Sequence, residues 1–145
     1  GVFAPDLTEP FAHVLNRLGL RRAFIVHGHD GMDEITTTTT TRVSELNNGR
    51  VRTYDLDPLE YIEQYAAPAD LTGGDPEYNA AVTRAVLSGE AGPARAIVCL
   101  NAAAAIVAGG KANTIKEGWT LAQASIDNGR ARQVLDDLVR MTQVK

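Results

Sequence analysis

Apolar residues change their spacing several times along this chain, and each change marks a boundary. Between residues 4 and 20, Phe11, Val14, Leu15 and Leu18 recur at the i, i+3, i+4, i+7 interval of one helix face. Asp6 or Thr8 is placed to cap that helix, Pro10 is tolerable only in its first turn, and Gly19 is placed to end it. Helical spacing then gives way to the short apolar run "RRAFIVHG", closed by a glycine, which reads as a buried strand centred on Ala23–Val26. Helix, buried strand and glycine loop in that order predict α/β architecture, in which ligands gather beyond the carboxyl ends of strands. Six consecutive threonines follow, Thr36–Thr41. Their β-branched side chains are expected to open the next strand. A hairpin is predicted over Thr37–Tyr54, turning at Asn47-Asn48-Gly49, where residues that tolerate positive φ are grouped.

Between Asp57 and Thr72 the pattern is poor, with Pro58 placed to begin a short helix and Pro68 to break it. From there on the period is helical, and helices are expected over most of Pro76–Thr142. Asp75 should cap the first of them, with Pro76 at its first position and an end near Gly89. Gly92-Pro93 opens "ARAIVCLNAAAAIVAGG", apolar nearly all round and hence predicted to be a central buried helix. Thr114 and Glu117 have the spacing of a capping box for a helix ending near Asn128-Gly129. A final helix sets Ala131, Val134, Leu135, Leu138 and Met141 on one face. No repeat and no linker interrupts the chain, so it reads as one unit.

Composition narrows the possibilities. The 145 residues suffice for one core and not for two ordinary domains, and 44% apolar with 22% charged residues is a globular balance. A net charge of −4 argues against a nucleic-acid-binding surface. Cys99, the single cysteine, has no partner for an internal disulfide and fits a reducing, cytoplasmic setting. No apolar stretch reaches the roughly 18–20 residues of a membrane span. The chain starts at Gly1, and it is expected to be a portion of something longer.

Candidate chemistry centres on "VHGHDGMDEI". Asp33 and Glu34 stand side by side behind Gly31, and adjacent carboxylates repel unless something positive or well solvated meets them. In a loop freed by Gly28 and Gly31 both can turn to one side, as hard oxygen ligands suited to Mg²⁺. A solvated acidic loop and an arginine partner are the alternatives. His27 and His29 have the chemistry of acid–base groups, but with no cysteine or third histidine beside them they do not make a zinc site. His27, at the end of an apolar strand, is expected to be tied up by a hydrogen bond. Gly73, Gly74 and Asp75 precede a helix as an anion-binding turn does, yet Asp75 is explained by capping alone, and its charge opposes a phosphate. Asn79 and Asn101 interrupt apolar helical patterns and are expected to bond neighbouring backbone. Trp119 is expected in the core or on a contact surface.

Taken in order, "GVFAPDLTEPFAHVLNRLG", "VHGHDGMDEIT", "ELNNGRVRTYDLDP", "GGDPEYNA", "LNAAAAIVAGGKA" and "IKEGWTLAQASIDNGRA" resemble the anthranilate phosphoribosyltransferase family over the whole chain. The resemblance implies an α/β domain like that of nucleoside phosphorylases and phosphoribosyltransferases, of which residues 1–145 are the carboxyl-terminal part, with a β-hairpin and several terminal helices. It implies transfer of the phosphoribosyl group from phosphoribosyl diphosphate to anthranilate with Mg²⁺, a step of tryptophan biosynthesis. It also assigns Asp33 and Glu34 to the metal.

The family's Gly-Thr-Gly-Gly-Asp diphosphate loop, its magnesium-holding serine, its Lys-His-Gly-Asn stretch, its anthranilate-clamping arginine and its helical dimerisation domain all belong upstream of Gly1. "LTGGD" shares letters with the diphosphate loop but follows the Asp-Glu pair, so Gly73 and Gly74 do not inherit that role. The implied partners are therefore the amino-terminal half of the same enzyme and a second subunit. The threonine run is less varied than the family's Ser/Thr-Gly-containing stretch. Two rival readings remain at this point: a non-catalytic nucleic-acid-binding relative, disfavoured by the acidity, and a nucleoside phosphorylase, which fits the Asp-Glu motif less well.

Overall fold

In a computed structural model, which describes residues 1–143, strand β1 (Arg22–Gly28), strand β2 (Thr41–Asn47) and strand β3 (Arg50–Leu56) form an antiparallel sheet in the order β1-β2-β3. Helix α1 (Thr8–Arg17) precedes it. Four helices follow: α2 (Pro76–Leu87), α3 (Pro93–Ala108), α4 (Ile115–Asp127) and α5 (Arg130–Thr142). The α/β class expected from the sequence is the one found.

Alternation of side chains along β1 builds the layers. Ala23 and Ile25 pack with Leu46, Ala12 and Val2 on the α1 side, while Val26 packs with Val43, Leu56, Leu100 and Ala104 on the α3 side. The sheet is thus covered on both faces. A third cluster (Val86, Cys99, Ala122 and Ile126) joins α2, α3 and α4. Leu100 is wholly buried, and truncating such a residue to Ala typically costs about 2–5 kcal/mol. Helices α3 and α4 cross so closely that a Cβ added at Gly118 would lie 2.5 Å from the Ala103 carbonyl oxygen.

The hairpin turn is as its residues require. Asn48 and Gly49 have φ of 47° and 86°, the two positive angles of a type I′ turn. Asp75 caps α2 by accepting from the Tyr78 N–H at 2.8 Å, with Pro76 in the first turn. Several expectations need correction. No side chain caps α1: Thr8 instead donates its hydroxyl to the Pro5 carbonyl, and Pro5–Leu7 form a short 3-10 turn ahead of the helix. Pro68 opens another such turn, Pro68–Leu71, where only a break was expected. Thr114 does cap α4, but the Glu117 carboxylate accepts from Asn113, one residue before the cap. Helix α3 is not buried all round, since Val98 is 42% exposed. Apart from these corrections, the face of α5 that carries its apolar residues stays largely open, with Val134 and Met141 67% and 71% exposed.

The threonine run departs most from expectation. Only Thr41 belongs to β2, and residues 36–40 complete the β1–β2 connection. Thr36, Thr37 and Thr41 are fully buried. A pleated strand would point alternate threonines outward, whereas this loop turns Thr36, Thr37 and Thr41 inward, and the Thr36 and Thr41 side chains bond its own polar groups.

Candidate functional site

Residues 29–40 leave the sheet at the end of β1 and return at the start of β2, so the connection is a closed loop standing on an antiparallel pair. Its base is sealed by backbone bonds from Gly28 N–H to the Met32 carbonyl (2.7 Å) and from His29 N–H to the Thr40 carbonyl (3.0 Å). Gly31, at φ 94°, makes the sharp return and donates to the Gly28 carbonyl at 2.9 Å.

Inside the loop Asp30 is the hub. One carboxylate oxygen accepts from the Thr36 and Thr38 hydroxyls, each at 2.5 Å, and the other accepts the Met32 N–H at 3.1 Å. Partial burial raises the carboxyl pKa, but the two hydroxyl bonds and the backbone bonds together outweigh it and hold the group below its ordinary value. Thr41 Oγ1 accepts the Thr36 N–H at 3.0 Å. Across the loop, Asn101 of α3 grips the backbone of Ile35: its Oδ1 accepts the Ile35 N–H (2.9 Å) and its Nδ2 donates to the Ile35 carbonyl (2.8 Å) and to Ile97 (3.0 Å).

Asp33 and Glu34 lie between these tethers. Both are exposed, and among the described residues neither carboxylate has a hydrogen-bond or ion-pair partner. The arginine alternative therefore has no support. Glu34 borders two clefts. One, of about 580 Å³, runs along α2 and the start of α3 past Thr72 and Asn79; the other, of about 510 Å³, is lined also by Asp33, Val26 and Asn101. Among the described residues, no cluster of three histidine, cysteine or acidic side chains is arranged to hold a metal. Two unengaged carboxylates on a tethered loop nevertheless fit Mg²⁺, which characteristically takes one or two protein carboxylates and completes its octahedron with water and substrate phosphate.

The remaining candidates are accounted for by the fold. His27 is buried and its Nδ1 donates to the Val2 carbonyl at 2.8 Å. His29 Nε2 meets Asp55 Oδ1 at 2.9 Å at the surface. Asn79 accepts from Gly74 N–H and donates to the Gly74 carbonyl, each at 2.9 Å, which closes the Gly-Gly-Asp turn on itself. Trp119 packs near Tyr61, with ring centroids 5.8 Å apart. Burial pushes the Cys99 thiol up, against a smaller opposing influence from Arg95, which makes it a poor nucleophile. Reading by residue type overlooked Asp30, Thr36 and Thr38. The signal that would have found them is a carboxylate six and eight residues ahead of hydroxyls in a loop, a local pattern that competes with strand formation.

The fold is shared with known proteins. Residues 1–132 match the model of the glycosyl transferase family a/b domain, and the chain belongs to that family. Anthranilate phosphoribosyltransferase of Desulfosudis oleivorans is 56% identical over 143 residues, covering 98% of this chain and 42% of that protein. The enzyme of the same name from Acetivibrio thermocellus is 53% identical over 142 residues, again 98% of this chain and 41% of its own length. Among solved structures, anthranilate phosphoribosyltransferase from Thermus thermophilus superposes with a TM-score of 0.87 at 39% identity, covering 99% of this chain and 42% of that one. The Saccharomyces cerevisiae enzyme in complex with PRPP and Mg gives 0.81 at 25% identity, covering 94% and 40%. The chain thus spans about two fifths of the length of its relatives, and its resemblance to them runs from end to end.

Proposed function

We propose that these 145 residues are the carboxyl-terminal part of the catalytic α/β domain of an anthranilate phosphoribosyltransferase, which gives N-(5-phosphoribosyl)anthranilate and diphosphate in tryptophan biosynthesis. The observation that carries the proposal is the unengaged Asp33–Glu34 pair, held on a tethered loop within a chain 56% identical to an enzyme of that name. An amino-terminal half bearing the diphosphate loop and the dimerising helices would complete the enzyme, in the cytoplasm. No described helix is long and apolar enough to cross a membrane.

Asp33 and Glu34 would hold Mg²⁺. When bound, the ion supplies positive charge against the charge growing on the departing diphosphate. The two side chains contribute oxygens from a backbone already fixed on either side, so little ordering remains to be done when substrate arrives. Their exposure lets them reach a phosphate bound by another part of the enzyme. No protein nucleophile is needed for an amine to displace diphosphate at the ribose C1, which suits a site whose cysteine is buried and whose histidines are engaged elsewhere.

Assay of the 145-residue chain alone, beside the full-length enzyme that contains it, tests the reading. The isolated chain should consume no anthranilate, because two carboxylates leave most of the metal's octahedron to water. The full-length enzyme should turn over with Mg²⁺ and phosphoribosyl diphosphate. Turnover by the chain alone, with no second polypeptide present, would overturn the proposal.

A further inference from the structure

Two of the tethers described above act on the backbone next to the acidic pair and not on the pair itself. Asp30 bonds the Met32 N–H, immediately before Asp33. Asn101 bonds both backbone groups of Ile35, immediately after Glu34. Its side-chain amide therefore acts as a one-residue strand partner, contributed by a helix 66 residues away in sequence. Gly1 also packs directly against the Asp33 backbone, with no room there for a side chain.

We propose that Asn101, together with the Asp30–Thr36–Thr38 cluster, is a positioning device that fixes the backbone on both sides of Asp33 and Glu34 and so sets their affinity for a divalent cation. This inference rests on the metal reading of the pair. Adjacent carboxylates repel, and in a free loop they would turn apart, so that a cation would have to draw them together at the cost of ordering the chain. With Met32 and Ile35 held, that ordering is complete in the metal-free protein. The device also gives the threonine run a role. Thr36 and Thr38 supply the hydroxyls that Asp30 needs to remain a saturated, ionised anchor, leaving Asp33 and Glu34 as the loop's unengaged anions. Groups that orient metal ligands without touching the metal typically cost about 10–100-fold in affinity or activity when removed.

The test uses the full-length enzyme and three substitutions that preserve shape. Asn101→Asp keeps an acceptor for the Ile35 N–H but removes both donated bonds. Thr38→Val removes one hydroxyl from Asp30, and Thr38→Ser restores it. Amide hydrogen exchange at Ile35 and Met32 in the metal-free protein, and Mg²⁺ titration of turnover, are the readouts. Asn101→Asp should speed exchange at Ile35, Thr38→Val should speed it at Met32, and each should raise the half-saturating Mg²⁺ concentration by about tenfold or more. The KM for anthranilate should stay unchanged, and Thr38→Ser should behave as the parent. Parental exchange and parental Mg²⁺ dependence in both variants would overturn the proposal, as would an equal rise in the KM for anthranilate, which would signal general loosening. If Asn101→Asp does not fold, the Thr38 pair decides alone. Asp33→Ala with Glu34→Ala, run in parallel, isolates the parent reading: an unchanged Mg²⁺ requirement there rejects the metal role itself, whereas a large effect there beside parental behaviour of the Asn101→Asp and Thr38→Val variants rejects only the positioning role.

Discussion

Two glycine-containing acidic turns precede regular elements in this chain, and their letters alone give each some claim to bind a ligand. In the turn at residues 71–75 every polar side chain is used internally. Asp75 caps α2, Asn79 bonds both backbone groups of Gly74, and the nearby Asp70 accepts from Ala67. In the loop at residues 29–40 the bonding is denser still, yet two carboxylates are left out of it. The contrast lies in how the bonds are distributed, since neither loop is short of them. A turn whose polar groups bond one another has little left to offer a ligand, while one that secures its backbone and leaves two anions unengaged keeps them open to one.

Removing the unengaged groups should have the largest effect. In the full-length enzyme, Asp33→Ala with Glu34→Ala should lower turnover by about 10²-fold or more, the scale on which one preorganised electrostatic contact acts. Folding stability should move by no more than about 0.5 kcal/mol, because the side chains bond to nothing in the described structure. Urea denaturation beside steady-state kinetics checks both halves. A stability loss matching the activity loss would erase the distinction between the two loops.

The other turn should answer in the opposite sense. Asp75→Ala removes a helix cap and should cost about 1 kcal/mol of stability. Turnover of the folded protein should be unchanged. Loss of turnover at full stability would show the Gly-Gly-Asp turn to be a ligand site after all.

Those two turns also mark what sequence alone can disclose. Features decided within a few residues were legible: the Asn48-Gly49 turn, the Asp75 cap, and the buried strand around Ala23–Val26. What failed depended on distant or competing partners. Strand propensity assigned Thr36–Thr40 to β2, and a carboxylate six residues upstream drew two of their hydroxyls into a loop instead. Helix α3 was expected to be a central buried helix, and nothing in its own letters says which side lacks a neighbour. Asp33 and Glu34 stood out as candidates by their adjacency, whereas Asn101 could be recognised as a clamp only once the fold had brought it to Ile35.

Acid offers a smaller and graded perturbation of the same loop. The folded-state pKa of Asp30 lies below its ordinary 3.8, so its ionised form favours the folded loop. That contribution is complete above the unfolded value and is lost as pH falls through the lower folded value. Asp30→Asn should therefore be less stable than the parent at neutral pH, and the gap should close as pH drops below 3.8. Denaturant midpoints measured across that range give the comparison, and a gap that stays constant with pH would show that the carboxylate charge has no part in anchoring the loop.

The smallest expected effect concerns a buried threonine whose hydroxyl the loop does not use. Thr37 is fully buried, and its Oγ1 has no hydrogen-bond partner among the described residues, although its neighbours on either side both bond Asp30. A buried hydroxyl without a partner loses its hydration and gains nothing in exchange, at a cost of about 1–3 kcal/mol. Valine has nearly the same shape and suits the same rotamers, so Thr37→Val should be neutral or stabilising by up to about 1 kcal/mol, with turnover and Mg²⁺ dependence unchanged. Thr36→Val, which takes a hydroxyl from Asp30 in an equally buried place, should instead destabilise the loop. Thermal denaturation of the two variants side by side makes the comparison within a single run of identical residues. If Thr37→Val proves as damaging as Thr36→Val, the run contributes through its packing, and the bonds to Asp30 are incidental to it.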